Sequence, residues 1–276
     1  DGAFTTYDDG GFYFRTAPSD VVQAPTLADV ITDGGAATVG IIYRNDDYGA
    51  GFNDLLADAL TANGVAIATQ VGYDPTATSF DAEAAEVAAA GVDAVAIITF
   101  GEGSALMQSM IEAGIGPTDI PIYVADGFKD TVTAESVDPN NPAVLEGIVG
   151  TAPSAAPPNG EPGFIDRLEA FAPGTPTIFS AQKYDCLIVM KLGTEVAGST
   201  DPSVFVPEII GVTLGGTKCS LYAECSALIA EGVDIDYDGA SGPLEFTDVG
   251  EPGVGAYDVY EYDAEGTPVT FEQLVL

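Results

Sequence analysis

The sequence predicts an α/β protein built on a doubly wound parallel sheet. Three observations carry that expectation. Short, apolar, β-branched runs alternate with helical runs between Thr38 and Val124. Glycines stand where the helical runs stop, at Gly64, Gly91 and Gly114. Polar, glycine-bearing loops follow the strand runs, as they do at the carboxyl edge of such a sheet.

Each element follows from its residues. Thr38–Tyr43 is a fully apolar strand of the kind buried on both faces. Asn45–Gly49 is a loop, Phe52–Asn63 a helix and Val65–Val71 the next strand. Ser79 or Asp81 caps an Ala-rich helix that runs through Ala90. Ala94–Thr99 is a strand, Phe100–Ser104 a loop, Leu106–Ala113 a helix and Ile120–Val124 a strand that ends at Ala125-Asp126-Gly127-Phe128. Upstream, Tyr7–Gly11 is turn-rich and Phe12–Arg15 strand-like. Downstream come strand-like Ile148–Thr151, a Pro-rich crossing segment Ala152–Pro162, and helices Pro162–Ala172 and Ser180–Ala197. A shorter helix lies near Ser203–Ile209, after Asp201-Pro202, which suit a first turn. Tyr257–Tyr262 alternates as a strand. The apolar run Asp185–Gly198 carries Lys191 and Glu195, so it is a buried helix, not a membrane span of about 18 or more residues. The helices of this second part bring few strands to pack on, which is a physical reason to expect missing sequence.

Composition narrows the function. The 276 residues include 43 Asp and Glu against 7 Lys and Arg, for a formal charge of −36, with no His. That charge repels phosphate, which argues against nucleic acid and anionic membrane surfaces as partners. Without His there are no imidazole metal ligands and no Ser-His-Asp triad. A binding protein or a carboxylate enzyme remains. So large an acidic excess also suits a saline medium, where counterions screen self-repulsion. Cys186 sits in an apolar run and reads as a buried thiol. Cys219 and Cys225 lie in a turn-rich stretch; they either close a small disulfide loop, which would place the protein outside the cytosol, or stay reduced.

Three loops at the expected carboxyl edge carry candidate groups: Asp46, Asp47 and Tyr48; Phe100, Gly101, Glu102, Gly103 and Ser104; Asp126, Gly127 and Phe128. A carboxylate beside aromatic rings suits a small ligand with a cationic amine and an apolar side chain. Each has a plainer role beside it. Asp46-Asp47 can shape a turn and cap a helix, Tyr48 can be packing, Glu102 a solvated charge, and Asp126 an Asx-turn. Gly101-x-Gly103 lacks the third glycine of a dinucleotide fingerprint. Asp234–Gly239 resembles a calcium loop but lacks the acid that would complete it. No spacing singles out a cofactor site, a metal site or a catalytic pair of carboxylates, and none is assigned.

In order along the chain, Phe14-Arg15-Thr16-Ala17-Pro18-Ser19-Asp20, Asn45-Asp46-Asp47-Tyr48-Gly49, Phe100-Gly101-Glu102-Gly103, Tyr184-Asp185 and Asp236-Tyr237-Asp238-Gly239-Ala240-Ser241-Gly242-Pro243-Leu244-Glu245-Phe246 resemble the branched-chain amino-acid-binding family of ABC-transporter substrate-binding proteins. The Cys219–Cys225 segment resembles a disulfide loop of some members. The resemblance implies the type I periplasmic binding protein fold: two doubly wound α/β/α lobes joined by crossing strands. It places 14–152 plus 244–276 in the carboxyl-side lobe and 1–13 plus 153–243 in an incomplete amino-side lobe. The first ~100 residues of that lobe would then be absent. It implies a monomeric, non-enzymatic carrier outside the cytoplasm, periplasmic or secreted, with a lipid anchor in the absent segment as one arrangement. Its partners would be a small amino acid, branched-chain or similar, and an ABC permease. The alternatives are a receptor domain of the same fold, or an amide, urea-like or aromatic-acid ligand. By the same resemblance Tyr48 is a ligand-contacting tyrosine, Phe100 a second aromatic, and Asp126 the acid that receives the ligand's α-ammonium, with Gly101, Glu102 and Phe128 beside them. The groups for the ligand's carboxylate lie in the absent lobe.

Overall fold

The computed structural model describes residues 2–276. They form two compact units: 19–152 and 258–272 with the first few residues, and 4–18, 153–257 and 273–276.

The first unit opens on helix α1 (Asp20–Asp33). Strand and helix then alternate: β1 (Thr38–Arg44), α2 (Asp47–Ala62), β2 (Ala66–Tyr73), α3 (Asp81–Ala90), β3 (Ala94–Ile98), α4 (Gly103–Glu112), β4 (Ile122–Val124), the short α5 (Ala134–Val137) and β5 (Val149–Pro153). Strands β1 to β5 pair in parallel, as the apolar runs require. The register sets Tyr43 of β1 beside Ile98 of β3, and Ile97 beside Val124 of β4. The residues that follow these three strands therefore emerge at one edge. β3 is buried along its whole length. Its Ala94, Ala96 and Ile98 share a core with Leu27 and Ile31 of α1 and with Phe52, Leu56 and Leu60 of α2. Helix α1 persists across Pro25, with the Ser19 hydroxyl accepting from the Val21 N–H at its start.

The second unit holds α6 (Phe164–Phe171), α7 (Ser180–Ala197), α8 (Pro202–Phe205), α9 (Glu208–Gly211), β6 (Thr217–Cys219), α10 (Tyr222–Ala230), β7 (Ile235–Gly239) and β8 (Gly242–Pro243). The last strands of the chain, β9 (Ala256–Tyr262) and β10 (Pro268–Val275), extend the large sheet to the order β10-β9-β5-β4-β3-β1-β2. A small sheet, β6-β7-β8, supports the second unit. Val189 and Leu192 of α7 pack there with Ile235, Tyr237, Leu244 and Phe246, and Phe14 lies against them. Residues 14–18 and 244–257 fall in this unit, where Phe246 joins the core and Phe14 packs against it. Cys219 and Cys225 form a disulfide between β6 and α10, and Cys186 is free and half-buried, where a fully buried thiol was expected.

Candidate functional site

The carboxyl edge of β1, β3 and β4 in the first unit gathers the candidate groups. The Asp46 carboxylate caps α2 by accepting from the Gly49 N–H at 2.9 Å, so its plainer role is real. Gly49 is required: a Cβ there would meet the Arg44 carbonyl oxygen at 2.0 Å. This close approach sets the first turn of α2, and with it Tyr48, directly on the end of β1. The Tyr48 and Phe100 rings stack with centroids 5.2 Å apart and planes 16° from parallel. The Tyr48 hydroxyl donates to Asp126 Oδ1 at 3.1 Å. Gln23 of α1 donates to the same oxygen at 3.1 Å and to the Thr151 carbonyl at 3.2 Å.

Burial governs the electrostatics. It pushes the Asp126 carboxyl up to about 6; the negative charge of Asp20 adds to the rise, while the Tyr48 and Gln23 bonds oppose it. Burial also raises the Tyr48 hydroxyl, with Asp126 and Asp20 reinforcing it. Asp20 is itself buried, in the first turn of α1. The chemistry assembled is a buried acid beside a second acid and an aromatic pair, which favours a cationic group and an apolar body.

Tyr48, Phe100 and Asp126 are thus brought together. Gly101 lies in the exposed turn between Phe100 and α4. Glu102 is not a solvated charge: it accepts from Arg44 Nη1 at 2.7 Å and from the Tyr73 hydroxyl at 3.0 Å. Phe128 follows Asp126 in a short 3-10 turn, but its ring is fully buried edge-on to Tyr262, so it is core and does not join the group. Gln23 and Arg44 join the group with no signal of their own in the sequence, and Asp20 joins it from the Phe14–Asp20 motif, where it had no assigned role. Ser19 as a helix cap was the available signal for the helix that carries Asp20 and Gln23.

Two motifs of the second unit are structural. Asp185 of α7 accepts at Oδ1 from the Tyr237 hydroxyl at 2.7 Å and the Ala240 N–H at 2.9 Å, and at Oδ2 from the Ser241 N–H at 2.7 Å and the Ser241 hydroxyl. A Cβ on Gly239 would stand 2.4 Å from that carboxylate. The calcium-like loop has a different occupant. Carboxylate oxygens of Asp236, Asp238 and Glu245 lie within 4.8 Å of one another, and the Lys218 ammonium pairs with all three at 2.8, 2.9 and 3.2 Å.

Comparison with known proteins agrees with this architecture. A model of the periplasmic binding protein family matches residues 2–267. The chain is 24% identical, over 88% of its length, to the chemotactic signal transduction system substrate-binding protein BasB of Halobacterium salinarum, and covers 57% of it. It is 25% identical, over 91% of its length, to Leu/Ile/Val-binding protein homolog 3 of Brucella melitensis, and covers 61% of it. The chain therefore spans less than two thirds of these relatives. Among solved structures, the leucine-binding protein LivK of Thermotoga maritima superposes with a TM-score of 0.73 at 18% identity, over 92% of this chain and 65% of that one. A solute-binding protein from R. palustris in complex with 4-hydroxybenzoate gives 0.67 at 15% identity, over 95% and 66%. With the parallel sheet, its loaded carboxyl edge and a family match along nearly the whole chain, this protein belongs to the periplasmic binding protein family, in its type I fold.

Proposed function

We propose that the chain is part of an extracytoplasmic solute-binding protein that takes a small amino acid and delivers it to an ABC permease. The observation that carries the ligand class is the buried Asp126 carboxylate, held by Tyr48 and Gln23 at the carboxyl edge beside the Tyr48–Phe100 pair. A ligand ammonium would relieve the unfavourable burial of that charge, and the rings would cover an apolar side chain. The acids Asp20 and Asp126 favour an amine over an aromatic acid at this edge, although relatives such as the R. palustris protein bind such acids. The Cys219–Cys225 disulfide supports an oxidising location. Among the described residues no helix is long and apolar enough to cross a membrane. The −36 charge and the likeness to a Halobacterium protein support a saline setting.

A second reading has one specific support. BasB is described as a chemotactic substrate-binding protein, so the same ligand capture could feed a receptor in place of a permease.

A thermal-shift screen of the full-length protein against amino acids, small amides and benzoates tests the ligand class. A branched-chain or similar amino acid should raise the midpoint by mass action, and Asp126→Ala should abolish the shift. An unchanged shift in the variant, or a response to benzoates alone, would reject the amine-binding role.

A further inference from the structure

We propose that Arg44 is a positioning residue for the Tyr48–Asp126 site: it ties the loop after β1 to the loop after β3 and seats Phe100 against Tyr48, and it offers no charge of its own to a ligand. The ligand part of this inference rests on the amino-acid reading above; the ring-seating part does not.

Three contacts define the device. Arg44 Nε donates to Asp46 Oδ2 at 2.6 Å, and Nη1 donates to Glu102 Oε1 at 2.7 Å. The guanidinium carbon stands 4.4 Å from the centre of the Phe100 ring. Asp46 caps the helix that carries Tyr48, and Glu102 stands at the start of the helix that follows Phe100. Glu102 is anchored in turn by the Tyr73 hydroxyl and by the Phe100 N–H at 3.3 Å. The backbone of Arg44 takes part as well, since Gly49 packs onto its carbonyl and its Cγ with no room for a Cβ. One residue thus fixes both partners of the aromatic stack.

The chemistry requires arginine. A planar fork reaches two carboxylates in different directions while lying flat on a ring, whereas a lysine ammonium is a compact point charge that cannot do both. Two carboxylates already neutralise the guanidinium, and its side chain is only 15% exposed. Arg44 is therefore not a receptor for a ligand carboxylate. Its effect on binding passes through the placement of Tyr48, whose hydroxyl holds Asp126.

The test uses the full-length protein with 13C-labelled tyrosine, the Tyr48 ring signal being assigned through Tyr48→Phe. Without ligand, Arg44→Gln should move that signal as far as Phe100→Leu does, because both remove the seated ring. Arg44→Lys, which keeps the charge and is the safer fold, should move it in the same direction. Arg167→Gln, which breaks a bridge to Glu161 in the second unit, should leave it in place. In calorimetry with the amino acid found by the screen, Arg44→Gln should weaken binding about tenfold and Arg44→Lys should not restore it. A Tyr48 signal unmoved by Arg44→Gln, or wild-type behaviour of Arg44→Lys in both measurements, would overturn the proposal. If the wild type binds no amino acid, the functional reading falls, while the ring signals still decide whether Arg44 seats the stack.

Discussion

Asp126 concentrates the energetics of the candidate site in one carboxyl group. Its pKa is raised to about 6 in the folded chain, against about 3.9 for a free Asp, so folding favours the protonated form relative to the unfolded chain. The stabilisation it gives is complete below about pH 4 and is lost as pH rises through about 6. Asp126→Asn keeps an Oδ1 acceptor for Tyr48 and Gln23 and removes the charge. In the ligand-free protein it should therefore be more stable than wild type at pH 7, by ~3 kcal/mol, with most of that gain gone at pH 4. Urea midpoints at the two pH values check this, and a pH-independent difference would contradict it. Binding of an amine should strengthen as pH rises through the same window, because the ionised carboxylate is the partner it needs. Tyr48, Phe100 and Asp126 were legible in the sequence because each follows a strand whose apolar run is unmistakable. Gln23 and Arg44 were not, since their roles exist only once α1 lies on the sheet and β1 lies beside β3.

Among the elements, the Asp185 latch gives a structural role to one of the motifs that carry the family resemblance. One carboxylate collects four hydrogen bonds and fastens α7 to the turn between β7 and β8. Asp185→Ala would strand the buried Tyr237 hydroxyl and two backbone N–H groups. It should cost about 3 kcal/mol in denaturant unfolding, and a loss under about 1 kcal/mol would mean that the latch is dispensable. The alternation of β1 to β4 with their helices was readable from apolar runs and stop glycines. Helix α1 was not, because Pro25 interrupts its pattern, yet tertiary packing of Leu27 and Ile31 overrides the lost hydrogen bond. The run Ser203–Ile209 is two helical pieces, α8 and α9, divided around Pro207. Phe12–Arg15 forms no strand, and Phe12 is exposed. Helix α10 was hidden by the turn-like residues between Cys219 and Cys225.

For the whole molecule the governing quantity is charge. Arg15, Arg44, Lys129, Arg167, Lys191 and Lys218 all pair with carboxylates, some of them with two or three. With 43 acids against 7 bases, most acidic groups are left to mobile counterions. Raising KCl from 0.1 to 1 M shortens the screening length from about 10 to about 3 Å, so thermal stability should rise over that range. A midpoint that falls or stays level would show that self-repulsion is not what limits the fold.

The placement of the basic residues in the fold also governs how the chain meets a protease. Trypsin cuts only after Lys or Arg, and the side chains of Arg15, Arg44 and Lys129 are each at most 15% exposed. Lys183 and Lys191 lie within the α7 helix, which must open before a cleavage cleft can accept them. Arg167 and Lys218 have half-exposed side chains, but they stand in α6 and β6, so a cut there also needs the element to open, and the digestion rate becomes a reading of how often these elements open.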